Sequence, residues 1–153
     1  MNVDWCDAAA FCQWSGKRLC GGIGASTLAS AQAAMPALSR WASACTRAGT
    51  RRFPYGPTVM PGVCNVGQPN RPLKIVPVAS TTGCQGGYDK LYDMVGNVEE
   101  WLDACTLDPV RGEVCAIIGG DYFDTESLSD CARLYDKVKT SVDYYRGFRC
   151  CWP

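Results

Sequence analysis

The stretch Gly87-Tyr88-Asp89-Lys90-Leu91-Tyr92-Asp93-Met94-Val95-Gly96-Asn97-Val98-Glu99-Glu100-Trp101 decides how the rest of this chain is read. It opens on a short strand candidate, Leu91–Met94, and runs into a glycine-centred loop flanked by the carboxylates of Asp93, Glu99 and Glu100. On composition alone that loop is an acidic turn that pairs with Lys90 or stays solvated. Upstream, from Arg52 to Gly87, the chain is rich in proline and glycine and has no hydrophobic period. An irregular stretch of that length in a compact domain carries function or is held by cross-links and ions. Downstream, short strands are expected at Ile117–Gly119, Ala132–Tyr135 and Gly147–Cys151. Sixteen glycines and nine prolines in 153 residues mean many turns and few long elements, so the class is α+β with a high loop content.

Two helices complete the pattern. The first is expected over Val3–Leu19, with Asp4 as N-cap, Trp5, Ala9 and Cys12 on one face, and Gly16 as the stop. The second is expected over Ala37–Arg47, with Leu38, Trp41 and Cys45 facing inward and Gly49 ending it. Gly21-Gly22-Ile23-Gly24-Ala25 does not follow a strand of a βαβ unit, so it reads as a loop and not a phosphate cradle. Fifteen basic and fifteen acidic residues leave no basic field for nucleic acid. The run Arg47-Ala48-Gly49-Thr50-Arg51-Arg52 reads as a solvated loop.

Eleven cysteines are scattered from Cys6 to Cys151, none in a C-x-x-C pair, and histidine is absent. Zinc and redox sites call for close cysteine pairs, usually with histidine. Dispersed cysteines read instead as a disulfide framework, which implies an oxidising, extracytoplasmic compartment. Without histidine, any chemistry must run on thiols, carboxylates or tyrosines. The odd count leaves at least one thiol over. Met1-Asn2-Val3-Asp4-Trp5 leads straight into patterned structure with no signal peptide and no membrane-spanning run, which suggests a piece of a longer exported protein.

Five phrases in fixed order resemble the formylglycine-generating enzyme (sulfatase-modifying factor) family. Asp7-Ala8-Ala9-Ala10-Phe11-Cys12-Gln13-Trp14-Ser15-Gly16-Lys17-Arg18-Leu19 looks like its D-A-x-A-Y-C-x-W-x-G-K-R-L helix. Ala44-Cys45 through Arg52-Phe53-Pro54-Tyr55-Gly56 is similar to its C-R-G-G…Y-P-W-G segment. Gly87–Trp101 resembles G-L-Y-D-M-x-G-N-V-W-E-W, with Glu99 where the family has tryptophan. Gly119-Gly120-Asp121-Tyr122, Cys131-Ala132-Arg133 and Gly147-Phe148-Arg149-Cys150 match the closing phrases. The resemblance implies a loop-rich C-type-lectin-like fold, stapled by disulfides. It also implies one domain over residues 1–153 that corresponds to the C-terminal part of the family domain, its N-terminal part missing.

The same resemblance supplies site expectations. Asp93, Gly96, Val98 and Glu100 match a structural calcium site, two carboxylates and two backbone carbonyls that suit a hard cation. Asn65 and Val66 match the start of a weaker second one. Cys12–Cys150 and Cys45–Cys131 match family disulfides; Cys64–Cys84 and Cys105–Cys115 are read from the residues alone, each closing an irregular loop. Cys6, Cys20 and Cys151 stay unassigned. The enzymes oxidise a client cysteine with copper(I) held by two thiolates, and here those positions fall at Asp124 and Ser129, so no copper is expected. A related branch uses iron held by histidines, which this chain lacks.

Tyr122, Phe123, Asp124, Thr125, Glu126, Tyr135, Tyr144 and Tyr145 gather in the last third, a composition suited to rigid contact area with adaptable hydrogen bonds. They are expected to form an exposed face for a protein, peptide or small ligand. The first expectation for function is therefore an exported, catalytically divergent binding module. A diversified ligand-binding protein of the kind made by diversity-generating retroelements is the alternative, with Asp121–Asp130 and Ser141–Tyr145 as its variable segments. An active sulfatase-modifying oxidase is disfavoured, and an unrecognised chemistry on Tyr122, Asp124 and Glu126 is the remaining possibility.

Overall fold

The computed structural model describes residues 2–68 and 73–153. A four-stranded sheet forms its centre, in the order β4-β3-β2-β5, from Glu99–Asp108 (β2), Gly112–Ile118 (β3), Leu134–Val138 (β4) and Arg146–Phe148 (β5). β2–β3 and β3–β4 pair antiparallel, and β5 joins β2 in parallel. A separate ribbon pairs Arg18–Leu19 (β1) with Cys150–Cys151 (β6), so the C-terminus closes onto the end of the first helix.

The two helices are shorter than the sequence suggested. Helix α1 spans Trp5–Trp14, and Arg18–Leu19, expected to continue it, is strand instead. Gly16 sits at φ 73°, a left-handed conformation that ends the helix cheaply only for glycine. At the start, Asp4 and Asp7 form a reciprocal capping box, with Asp7 N–H donating to Asp4 Oδ1 at 2.8 Å. Helix α2 spans Arg40–Thr46 behind the N-cap Ser39, so Leu38 lies before the helix and is exposed, not on its inner face.

β2 is the element that the sequence concealed. Its two leading glutamates look like turn residues, yet both are buried, and the first four positions are buried on both faces of the strand. One face sends Trp101, with Cys115 and Ile117 of β3, into a core shared with Ala8, Cys12 and Leu19. The other sends Leu102 and Ala104, with Ala116 and Ile118, into a core shared with Trp41, Met94 and Val95. Leu91–Met94, expected as a strand, makes only an isolated bridge between Tyr92 and Gln85. The predicted Ile117–Gly119 strand starts five residues earlier, at Gly112. Ala132–Tyr135 is shifted onto Leu134–Val138, and Gly147–Cys151 divides between two sheets.

Five disulfides join Cys12–Cys150, Cys20–Cys151, Cys45–Cys131, Cys64–Cys84 and Cys105–Cys115, which leaves the exposed Cys6 as the free thiol. All four expected pairs are present. Cys105–Cys115, however, does not close an irregular loop: it joins directly opposed residues of the β2–β3 hairpin, with Cα atoms 4.0 Å apart. Cys20–Cys151, which the sequence left open, runs beside Cys12–Cys150 across the β1–β6 ribbon. No helix of the described residues is long and apolar enough to cross a membrane.

Candidate binding face

Where β3 ends, Gly119 at φ 94° and Gly120 at φ 69° turn the chain sharply into the loop 121–130. A Cβ on Gly120 would lie 2.6 Å from Asp124 Oδ2, so the loop folds back tightly onto its own origin. Phe123 N–H donates to Asp121 Oδ1 at 2.6 Å, and Ser129 Oγ donates to the Thr125 carbonyl at 3.1 Å. The loop is also tied outward. Gly67 N–H donates to the Asp124 carbonyl at 2.8 Å, Gly62 N–H donates to Glu126 Oε1 at 2.8 Å, and Arg52 pairs with Asp130 at 3.0 Å.

These bonds assign different tasks to the residues predicted as one face. Phe123 and Tyr144 are exposed, at 46% and 53%. With Tyr145 they form an edge-to-face cluster: Phe123–Tyr144 centroids are 6.4 Å apart, Phe123–Tyr145 6.1 Å and Tyr144–Tyr145 5.1 Å. Tyr122 was expected in the contact area but is only 5% exposed, its ring packed 4.2 Å from Phe123 as a support. Tyr135 lies on the edge strand β4 beneath the Arg133 guanidinium instead. Glu126 is a loop anchor, taken up by Gly62 and Gln68. The face is thus smaller than the sequence suggested and rests on three rings.

Its electrostatics are acidic. The Asp121 carboxyl titrates above the usual range because burial disfavours its charge, with Asp124 and Asp143 adding to the effect against the Phe123 N–H. The Tyr145 hydroxyl, bonded to Asp143, is pushed up to about 12. Beneath the rings, Glu99 N–H donates to the Tyr145 carbonyl at 3.0 Å, and Glu99 pairs with Arg146 at 2.6 Å, side chains 8% and 1% exposed. Sequence reasoning noted Glu99 as the loss of a tryptophan and missed its partner. No local signal in the sequence pairs Glu99 with Arg146, 47 residues further along the chain.

At the two positions where the resemblance places active thiols, Asp124 is ion-paired with Arg133 at 2.7 Å and Ser129 is buried. Both approach Gly120, so the two positions still converge, with a neutralised carboxylate and a bonded hydroxyl occupying them. Among the described residues, no cluster of three or more histidine, cysteine, aspartate or glutamate side chains is arranged to hold a metal ion.

Three of the residues expected to bind calcium, Asp93, Val98 and Glu100, border a pocket of about 280 Å³, whereas Gly96 is not part of its lining. Asp93 Oδ2 accepts from Ala79 N–H at 2.8 Å, while Oδ1 is buried and has no partner among the described residues. That orphaned oxygen suits a hard cation. Glu100 fits less well. Arg149 takes both its oxygens at 2.6 Å, Trp41 Nε1 donates to Oε2 at 2.7 Å, and Arg149 Nη2 reaches the Asp93 carbonyl at 3.4 Å. Gly96 packs against Asn65 and Val66, and Asn97 N–H donates to the Asn65 carbonyl at 2.7 Å, so both expected calcium positions share one hydrogen-bonded loop core. Asn65 Nδ2 donates to Asn97 Oδ1 at 3.0 Å.

The chain matches known proteins along its length. Mouse (Mus musculus) formylglycine-generating enzyme is 33% identical over 183 residues, covering 98% of this chain and 43% of that protein. Mus musculus inactive C-alpha-formylglycine-generating enzyme 2 is 28% identical over 166 residues, covering 98% and 47%. The chain therefore spans about half the length of the curated relatives it matches. Among solved structures, CarF has a TM-score of 0.62 at 20% identity, covering 97% of this chain and 65% of its own. PvdO from Pseudomonas aeruginosa has a TM-score of 0.61 at 18% identity, covering 96% and 59%. The chain shares its fold with these two, and its own structure is loop-rich and stapled by disulfides. The family profile of the sulfatase-modifying factor enzyme 1-like domain matches residues 1–153, and the chain belongs to that formylglycine-generating enzyme family.

Proposed function

We propose that this chain is a catalytically divergent member of the family, working as an exported recognition module for a protein or peptide. The reading rests on Asp124, ion-paired with Arg133, and the buried Ser129, which stand where the resemblance places the two thiols. A carboxylate and a hydroxyl are hard donors, poorly matched to copper(I). The neighbouring rings of Phe123, Tyr144 and Tyr145 supply rigid contact area at small entropic cost. Five disulfides agree with an oxidising compartment. A relative whose own name calls it inactive supports loss of turnover within the family.

The test has two arms. Copper(I)-loaded protein is expected to leave a sulfatase-type cysteine peptide unconverted, as read by mass spectrometry. Peptides selected from a library on the wild-type protein are expected to bind the Phe123→Ala/Tyr144→Ala variant at least tenfold more weakly, at an unchanged melting temperature. Conversion of the cysteine peptide overturns the first part, and equal binding by the variant overturns the second.

Structural calcium belongs to the same proposal. Asp93 would hold the ion through its unpartnered oxygen, with the Gly96 and Val98 carbonyls, and Glu100 only where Arg149 yields. Bound to the folded state alone, an ion at a hundred times its dissociation constant stabilises by about 2.7 kcal/mol. A chelator is therefore expected to lower the melting temperature by several degrees. Asp93→Asn should remove that response without touching the Glu100–Arg149 pair. A wild type indifferent to the chelator rules the ion out.

A further inference from the structure

Arg47 and Arg51, read from sequence as part of a solvated basic loop, are brought together in the fold as lining of a pocket of about 750 Å³. Tyr55, Gln85, Tyr88 and Asp89 complete most of its wall, and no residue of the aromatic face takes part. Helix α2 is capped by Arg47 at φ 50°, and Ala48 and Gly49 follow at 56° and 86°. Three successive left-handed residues turn the chain abruptly, two of them side chains that rarely accept this conformation. The opposite wall is pressed against the same helix end. A Cβ on Gly87 would lie 2.5 Å from the Ala44 carbonyl oxygen and 2.7 Å from Arg47 N, so only glycine permits the approach. Close backbone packing thus fixes this wall of the pocket against the helix end.

Its charges are unspent. Among the described residues Arg47 makes no side-chain hydrogen bond or ion pair. Arg51 makes one bond, from Nη1 to the Pro54 carbonyl at 3.1 Å. Among the described residues neither guanidinium has a carboxylate partner, and each presents a bidentate donor pair to an oxyanion. A site for a bare anion would gain nothing from a carboxylate in its wall, yet Asp89 lines this one with Gln85. Those groups match a ligand that also carries hydroxyl donors. Tyr88, half-exposed, offers a ring surface, and Tyr55 is held parallel to Phe53 with centroids 5.5 Å apart. The volume falls within the range of small-molecule sites, about 300–1,000 Å³, while the wall is polar where such sites are usually apolar. A polar, anionic and polyhydroxylated molecule would meet each of these groups.

We propose that the Arg47–Arg51 pocket binds an acidic saccharide, its sulfate or carboxylate held by the two arginines and its hydroxyls by Asp89 and Gln85. Titration calorimetry of the oxidised chain tests this with four probes: a sulfated heparin disaccharide, a digalacturonate, maltose and sodium sulfate. At least one acidic disaccharide is expected to bind tenfold or more tightly than maltose and sodium sulfate, and which one it is identifies the anion. Arg47→Ala and Arg51→Lys should each weaken that binding at least tenfold, since lysine lacks the bidentate fork. Arg47 is exposed and its variant keeps the test valid if Arg51→Lys impairs folding. The Phe123→Ala/Tyr144→Ala variant should bind the disaccharide like wild type, which separates this pocket from the recognition face. Failure of both acidic disaccharides to bind, sodium sulfate binding as tightly as they do, or an Arg47→Ala variant with unchanged affinity would each overturn the proposal.

Discussion

Replacing Arg146 by methionine should cost about 3–5 kcal/mol of stability, because it leaves the buried Glu99 carboxylate without its counter-charge. Arg146 Nε donates to Glu99 Oε1 at 2.6 Å, and Nη1 donates to Ser141 at 3.2 Å (carbonyl) and 3.1 Å (Oγ). The guanidinium lies 4.9 Å above the Trp101 ring, which is itself fully buried. Burial already raises the Glu99 pKa, and the Arg146 charge and hydrogen bond oppose that rise. Removing the arginine therefore leaves burial unopposed, and the carboxyl must take up a proton or stay charged at a penalty. The double variant Glu99→Leu/Arg146→Met should recover most of the loss, since apolar replacement of a whole buried pair is often neutral or stabilising. Chemical denaturation of the three proteins measures both effects. A single variant that loses less than about 1 kcal/mol would show that the pair is solvated or dispensable.

Removing the Cys45–Cys131 bridge by paired serines should cost about 4–5 kcal/mol on the loop-entropy account, whereas removing Cys105–Cys115 should cost about 3 kcal/mol. The difference follows from the sequence separations that the bridges close, 86 residues against 10. Cys45 sits on the inner face of α2, and Cys131 follows the loop 121–130, so this bridge couples the helix to the end of the recognition loop. Cys105–Cys115 spans a hairpin that its strand pairing already holds in register. Guanidinium unfolding of both serine variants, compared with the oxidised wild type, provides the measurement. An equal or larger loss for the hairpin bridge would mean that native-state packing, not chain entropy, sets the values.

The sequence was most legible where local chemistry and residue phrases suffice. Asp4, the apolar face of Trp5, Ala9 and Cys12, and Gly16 announced α1, and the structure shows the cap, the face and the stop. Phrases in fixed order identified the family, and dispersed cysteines without histidine announced the disulfide framework. The aromatic residues of the last third were also recognisable as a group, because tyrosines clustered on irregular chain rarely pass unnoticed.

Long-range pairing was not legible, since nothing within a strand states its partner. β2 begins with two adjacent glutamates, which by local preference argue against a strand. They are buried because each meets an arginine supplied from about fifty residues away, Glu99 meeting Arg146 and Glu100 meeting Arg149. The same distance separation hid Cys20–Cys151, which exists because the C-terminal strand returns to β1. It also divided the predicted face into exposed rings, a buried support in Tyr122 and an anchor in Glu126. By itself, then, the sequence determined the family, the disulfide framework and the local helix signals, which are read from residue phrases, composition and neighbouring residues. Which carboxylates are paired, which rings face solvent and which arginines share a pocket was decided only by tertiary structure, because burial and charge compensation depend on what distant segments bring to the same place.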